Sequence, residues 1–237
     1  MTVDTMLPPA PTYRGSTEEN ASRFRAAVVG SRRRRAKLPI RLASTADELA
    51  AIYQFRYQVY VEEMNRDQFH ADHLGKKIED SLDCGGCNFA AFDNDEVVGI
   101  VRVNFPSKSS IGYYENFMDM CSAGCFHPSA TSLCTRLMVA PHWRGTSLAT
   151  RLAQASYEFG LRNHIRYNFI DCDDRLIGFF VRLGYIFHRR AEHPEYGMGN
   201  VMRLDLLDRA RLVRQRSPFL AILDPGSNLA GAAPSLN

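Results

Sequence analysis

Nowhere does the chain approach the ~18 consecutive apolar residues that a membrane-spanning helix needs. Its opening, MTVDTMLPPAPTYRG, has no basic segment followed by an apolar run. The first absence excludes a helical membrane span, and the second removes the usual mark of secretion, so the expected location is the cytoplasm. There, six cysteines default to reduced thiols. A large excess of one charge is also missing. A net charge of +3 over 237 residues is too small to imply a nucleic-acid partner, and none is expected; the run Ser31 to Lys37, SRRRRAK, reads as a solvated linker or docking arm. A second sharp CxxC is lacking too: Cys84-Gly-Gly-Cys87 is followed only by Cys121-x3-Cys125. Four thiolates in two close pairs would suit zinc, but these cysteines serve equally as small apolar fillers near loops, and no metal is expected.

What is present fits one packed core: 45% hydrophobic and 11% aromatic residues. Residues 1–38 are rich in Pro, Ser, Ala and Arg without apolar period and read as a flexible segment; 216–237 read as a C-terminal tail, and 39–215 as the folded domain. No repeat interrupts it. Thr45-x-x-Glu48 predicts a capping box opening a helix through about Asn65. NFAAFDNDEVVGIVRVNF predicts a two-stranded hairpin turning at Asn94-Asp95. A strand at about Ser132 to Val139, a helix at about Ser147 to Arg162, the strand YNFIDC, a short helix stopped by Gly184, and strands at YIFHR and NVMRLDLL complete a mixed α/β (α+β) chain.

The stretch VAPHWRGTSLATRLAQASYEF carries the first chemical signal. A strand leads through Arg144-Gly145-Thr146-Ser147 into a helix whose first two turns hold no acidic residue. A helix N-terminus presents unpaired N–H groups and partial positive charge, so such a turn suits a phosphate; it serves equally well as a simple cap. Earlier in the chain, stepping by three and four along Leu49, Ile52, Arg56 and Val59 puts Arg56 inside an apolar stripe, where a guanidinium needs a carboxylate partner. Asp80 and Asp83 are the nearest in sequence, and a structural ion pair accounts for them as well as a functional one does.

TRLMVAP followed by Arg-x-x-Ser-x-Ala and an amphipathic helix resembles the signature of the GCN5-related N-acetyltransferase (GNAT) superfamily. The resemblance implies a central, mostly antiparallel sheet with helices on both faces, splayed between two central strands. It further implies a phosphopantetheine donor held by the turn (Arg144, Gly145, Thr146, Ser147, Leu148 and Ala149) and by the strand end (Met138 and Val139), with a backbone N–H near Val139 as oxyanion donor. Ser147 stands where that family usually has Gly. GFFVRLGYIFH resembles the next motif of the superfamily, but Phe180 occupies the place of a proton-donating Tyr.

IYQFRYQVYVEEM is similar to the first helix of acyl-homoserine-lactone autoinducer synthases and of N-acyl amino acid synthases. That resemblance spans roughly residues 46 to 206 and implies site roles for Arg56, Tyr60, Asp80, Asp83, Arg102 and Arg136. Leu133 stands where the autoinducer synthases have a Glu, Ile78 replaces their first acid, and their Trp after the first helix is absent. Transfer of a long fatty acyl group from acyl carrier protein, or acyl-CoA, to the amine of an amino acid is therefore the expected reaction. No permanently bound cofactor is expected, only the acyl-phosphopantetheine donor as co-substrate, and a peripheral membrane contact would come through the lipid product. The alternatives are a lactone-forming synthase, an acetyl-CoA-dependent acetyltransferase, and a non-catalytic acyl or lipid-carrier binding protein. Glu115, His127 and Asp171 are the candidate general bases.

Overall fold

Thr45 caps the first helix as its spacing predicts. In the computed structural model of the chain, which describes residues 38–225, the Thr45 hydroxyl accepts the Glu48 amide while the Glu48 carboxylate returns to the Thr45 amide, opening α1 (Ala46–Tyr57). The arginine run at 31–37 and the last twelve residues lie outside the described part. The helix expected through about Asn65 runs on past α1, but from Gln58 to Glu63 its ladder widens to a π-helix, closed by the Met64 N–H on the Val59 carbonyl. A helical period in the sequence does not distinguish four-residue from five-residue bonds, and the wider turn re-aims the side chains that come after it.

A short strand, β1 (Ile40–Leu42), precedes α1, and a small hairpin of β2 (Ala71–Asp72) and β3 (Lys77–Ile78) comes after it. The predicted hairpin is β4 (Cys87–Asp93) and β5 (Glu96–Asn104), turning at Asn94 with φ +56, a conformation Asn tolerates. After α2 (Tyr114–Phe117) come β6 (Thr131–Val139), α3 (Leu148–Arg162), β7 (Tyr167–Cys172) and α4 (Ile177–Leu183), the last stopped by Gly184 at φ +118. Strands β8 (Ile186–His193) and β9 (Gly197–Asp205) and helices α5 (Arg209–Arg214) and α6 (Leu220–Leu223) complete the chain.

The seven-stranded sheet runs β1-β4-β5-β6-β7-β9-β8, antiparallel throughout except for the parallel pair β6 and β7. Alternation along β4 puts helices on both faces. Asn88 receives a hydrogen bond from Arg56 of α1, whereas its neighbour Phe89 meets Phe159 of α3 edge-on at 5.2 Å. Leu133, Phe169, Val201, Met118 and Met120 are wholly buried in the core cluster of one face. Strands β6 and β7 pair only from Thr131–Leu133 to Tyr167–Phe169 and then part. That is the expected splay.

The folded unit extends beyond the expected boundary at 215. Ser217 and Phe219 are buried, and Phe219 stacks face to face on Tyr157 at 4.3 Å. A few apolar residues between polar ones carry no period, so the sequence alone did not reveal this docking. Among the described residues no helix is long and apolar enough to cross a membrane.

Candidate active site

Five charged side chains from four elements interlock beneath the sheet. Arg56 on α1 forks onto Asp83, with Nη1 to Oδ2 at 2.7 Å and Nη2 to Oδ1 at 2.9 Å, and also donates to Asn88 Oδ1 at 2.8 Å. Arg102 on β5 bridges both carboxylates through Nη1, to Asp80 at 2.6 Å and Asp83 at 2.9 Å. Arg136 on β6 takes the other oxygen of Asp80 at 2.9 Å. A one-turn cap holds the acids in place: the Asp80 carboxylate accepts the Leu82 amide and the Asp83 carboxylate accepts the Asp80 amide. Burial by itself would raise both carboxyls, but Arg102 and Arg136 hold Asp80 well below the ordinary range, and Arg56 and Arg102 hold Asp83 below it. Both carboxylates are therefore ionised at neutral pH. Three guanidiniums against two carboxylates leave one surplus positive charge, and Arg136 carries it to the cavity wall.

Arg136 reaches the cavity because β6 bulges there. Between the pairs Ile100–Met138 and Arg102–Thr135, Val101 of β5 faces both Arg136 and Leu137 of β6, with Arg136 at φ +58. Past the bulge the ladder resumes, and the Ala140 N–H bonds the Val98 carbonyl. Bonded and non-bonded pairs alternate in an antiparallel ladder, so Val139, opposite Gly99, turns its own N–H and C=O away from β5. They face the side where β7 has parted. A cavity of about 390 Å³ opens there, within the size range of ligand pockets.

The turn beyond Val139 opens a helix N-terminus of the kind expected to suit an anion, with its arginine engaged elsewhere. Gly145 takes φ +73, the Thr146 hydroxyl accepts the Leu148 amide, and the first helical bond to close is Arg151 N–H on the Ser147 carbonyl. Amides ahead of it stand outside the ladder. The Arg144 guanidinium, however, forks onto Glu63 (2.5 and 2.8 Å) and donates through Nε to the Val139 carbonyl at 3.0 Å. Ala149 is the one residue of the turn and first helical turn that lines the cavity.

Of the three candidate bases, one lies in the cavity. Asp171, at the end of β7, lines its wall, and burial pushes its carboxyl up to about 6 against the pull of a backbone hydrogen bond and of Arg136. Glu115 and His127 pair with each other at 2.9 Å, and neither lines the cavity. Leu133, at the position of the missing Glu, is wholly buried in the core. Phe180 lines the cavity edge-on to Tyr185 at 5.5 Å and supplies no proton.

Several wall residues were not singled out in the sequence. His193 Nδ1 accepts the Glu195 amide at 3.1 Å, so Nε2 carries the proton toward Tyr113 at 2.9 Å. Burial lowers the His193 pKa, keeping the ring neutral. It holds tyrosines in place and has no lone pair to offer as a base. Tyr196 stacks on His193 at 4.4 Å and on Tyr60 at 6.3 Å, and Arg66 lies over the Tyr196 ring. His193 and Tyr196 sit in HPEY, the β8–β9 turn, whose composition signals only a turn. The two cysteine pairs do not gather: among the described residues the group able to hold an ion is Glu115, Cys121 and His127.

No curated protein matches the chain significantly. Solved structures of similar fold include BjaI, a CoA-dependent acyl-homoserine lactone synthase, at 20% identity and TM-score 0.57, covering 73% of this chain and 84% of that one. FeeM, an N-acyl amino acid synthase from uncultured soil microbes, aligns at 12% identity and TM-score 0.59, covering 74% and 95%. MesI, another CoA-dependent acyl-homoserine lactone synthase, aligns at 18% and 0.58, covering 82% and 97%. The model of the acetyltransferase (GNAT) family matches residues 46–185, the span that holds the interlocked charges, the bulged strand, the turn and Asp171. With its parted strands and its phosphate-type turn, the chain belongs to the acetyltransferase (GNAT) family and is an acyltransferase of that type.

Proposed function

We propose that the protein transfers a fatty acyl group from a phosphopantetheine thioester, on acyl carrier protein in preference to CoA, to the amine of an amino acid. The observation that carries this reading is Asp171, a carboxyl raised to about 6, on the wall of the cavity that the Val139 amide faces. Asp171 takes a proton from the substrate ammonium. The freed amine attacks the thioester carbonyl carbon, and the oxyanion is held by the Val139 N–H. The C–S bond then breaks with the electron pair leaving on sulfur, the second proton of the attacking nitrogen passes through solvent to the departing thiolate, and a neutral amide and a thiol remain. A thiolate is a tolerable leaving group near neutrality, so Phe180 in place of a proton donor does not block the step.

Acceptor recognition follows from charge. The surplus positive charge at Arg136, with Arg66 nearby on the wall and Tyr60 and Tyr196 between them, suits the carboxylate of an amino acid. Asp80, Asp83, Arg56 and Arg102 position Arg136. The donor's phosphate meets the amides of the turn from Gly145 to Ala149. Around that turn Arg144, Arg162 and Arg166 are paired with Glu63, Glu158 and Asp205. The Glu63 and Glu158 pairs are largely exposed and worth little, so an acidic carrier helix can exchange them. Leu176 and Met198, exposed at the cavity, and Phe69 and Leu74 supply apolar surface for membrane contact as product leaves.

Thiol release from acyl carrier protein, measured with single amino acids, tests the assignment. It should depend on the amino acid and fall steeply with salt, as steered encounter requires, and Arg151→Glu should slow the carrier-protein reaction more than the acyl-CoA reaction. Thiol release indifferent to added amino acid would contradict the acceptor, and equal salt response with both donors would contradict the carrier protein.

A further inference from the structure

The segment between β5 and β6 brings three ligating groups together outside the cavity. A carboxylate oxygen of Glu115, the sulfur of Cys121 and a ring nitrogen of His127 all lie within 4.8 Å of one another. Glu115 and Cys121 are exposed and His127 is half-buried. The imidazole is fixed from behind. Its Nδ1 lies 2.9 Å from the hydroxyl of Thr131, a wholly buried residue whose own hydrogen is directed at the Pro128 carbonyl at 3.4 Å. In the tautomer where that hydroxyl accepts from Nδ1–H, Nε2 keeps its lone pair for a ligand. Nε2 stands 2.9 Å from Glu115 Oε1. That distance suits either a hydrogen bond from Nε2–H to the carboxylate or a metal ion shared by the two, and the adjacent thiol favours the metal.

We propose that Glu115, Cys121 and His127 bind a zinc-class divalent ion, with water in the fourth position. One thiolate, one imidazole and one carboxylate form a borderline-soft set that suits Zn²⁺, and the Thr131 hydroxyl plays the outer-shell part that ligating histidines use. Tetrahedral bonds of ~2.3 Å to sulfur and ~2.0 Å to nitrogen and oxygen draw ligand atoms to roughly 3.3–3.7 Å apart. Closing on the ion therefore needs a shift of about an ångström, which the exposed Glu115 and Cys121 side chains supply by rotation. The thiol proton leaves to solvent as the Zn–S bond forms. Glu115 directly follows Tyr113 and Tyr114, which hold His193 beside the cavity. The ion thus staples the segment that presents those tyrosines and takes no part in acyl transfer.

The test uses the full chain, stripped with chelator and titrated with Zn²⁺ alone against a chromogenic competitor. Titration with Co²⁺ reads the sulfur-to-metal charge-transfer band. The expected result is one ion per chain with that band present. Cys121→Ser should abolish the band and weaken binding about tenfold or more. His127→Gln should weaken binding comparably, and Thr131→Val about tenfold through the lost Nδ1 partner. Cys84→Ser should change nothing. Cys121 is exposed, so its replacement does not threaten folding. The proposal is overturned if no stoichiometric ion binds, if Cys121→Ser keeps both band and affinity, or if Cys84→Ser abolishes binding. The first of these outcomes would mean that His127 simply hydrogen-bonds Glu115.

Discussion

Asp171 keeps its proton to a higher pH than an ordinary aspartate because the fold surrounds it with apolar wall, and this has consequences for stability as well as rate. Between about pH 4 and 6 the unfolded chain has released this proton while the folded chain retains it, so stability falls as pH rises through that window. At pH 7 the ionised carboxylate costs about 1–3 kcal/mol. Asp171→Asn should therefore raise the free energy of urea unfolding at pH 7 by about that amount while lowering kcat/KM by roughly 10²–10⁴. The wild-type rate should rise as pH passes about 6. A destabilised Asn variant with full activity would remove Asp171 from the role of base. Arg56 and Asp171 differ in how far the sequence revealed them. A guanidinium inside an apolar helical stripe is a local contradiction that demands a carboxylate, and Asp83 answers it. Asp171, at the end of the strand YNFIDC, was one of three candidate bases that the sequence did not separate; its raised carboxyl depends on distant neighbours such as Gly199 on β9, where an added Cβ would come within 4.0 Å of Oδ2.

The elements legible in the sequence were those with a local signature: the capping box, the Asn-Asp hairpin, and the strand, turn and helix around Gly145. The π-segment at Gln58–Glu63 was not, nor was the bulge at Arg136, because both change hydrogen-bond partners without changing the apolar pattern. They matter to the site all the same. The π-segment carries Tyr60, which stacks on Tyr196, and Glu63, which holds Arg144. That last contact gives a prediction for the turn. Glu63→Ala frees the guanidinium for the donor phosphate, and since an exposed pair is worth at most about 1 kcal/mol, KM for the donor should fall by up to about fivefold. Arg144→Ala should raise it roughly three- to tenfold. If Glu63→Ala raises KM as Arg144→Ala does, the guanidinium serves to anchor the π-segment and does not contact phosphate.

Across the whole molecule, the antiparallel sheet with helices on both faces separates two tasks. One face packs α1 over the interlocked charges that hold Arg136, and the other packs α3, whose N-terminus is the proposed donor site. The C-terminal helices brace α3 from outside through Phe219 on Tyr157. Phe219→Ala should cost about 3–5 kcal/mol in urea unfolding, the scale of a buried aromatic deletion; a loss below about 1 kcal/mol would restore the chain end to a loose tail. The parted strands β6 and β7 connect the two tasks, since in the proposed reaction acyl thioester and amine meet there. The most direct measurement is mass spectrometry of the products formed by purified protein from fatty acyl carrier protein and a mixture of amino acids, at about pH 5 and about pH 8, beside Asp171→Asn. The expected result is an N-acyl amino acid formed faster at the higher pH and nearly absent with the Asn variant. Free fatty acid without amide, or amide formed equally by the Asn variant at both pH values, would contradict acyl transfer to an amine with Asp171 as base.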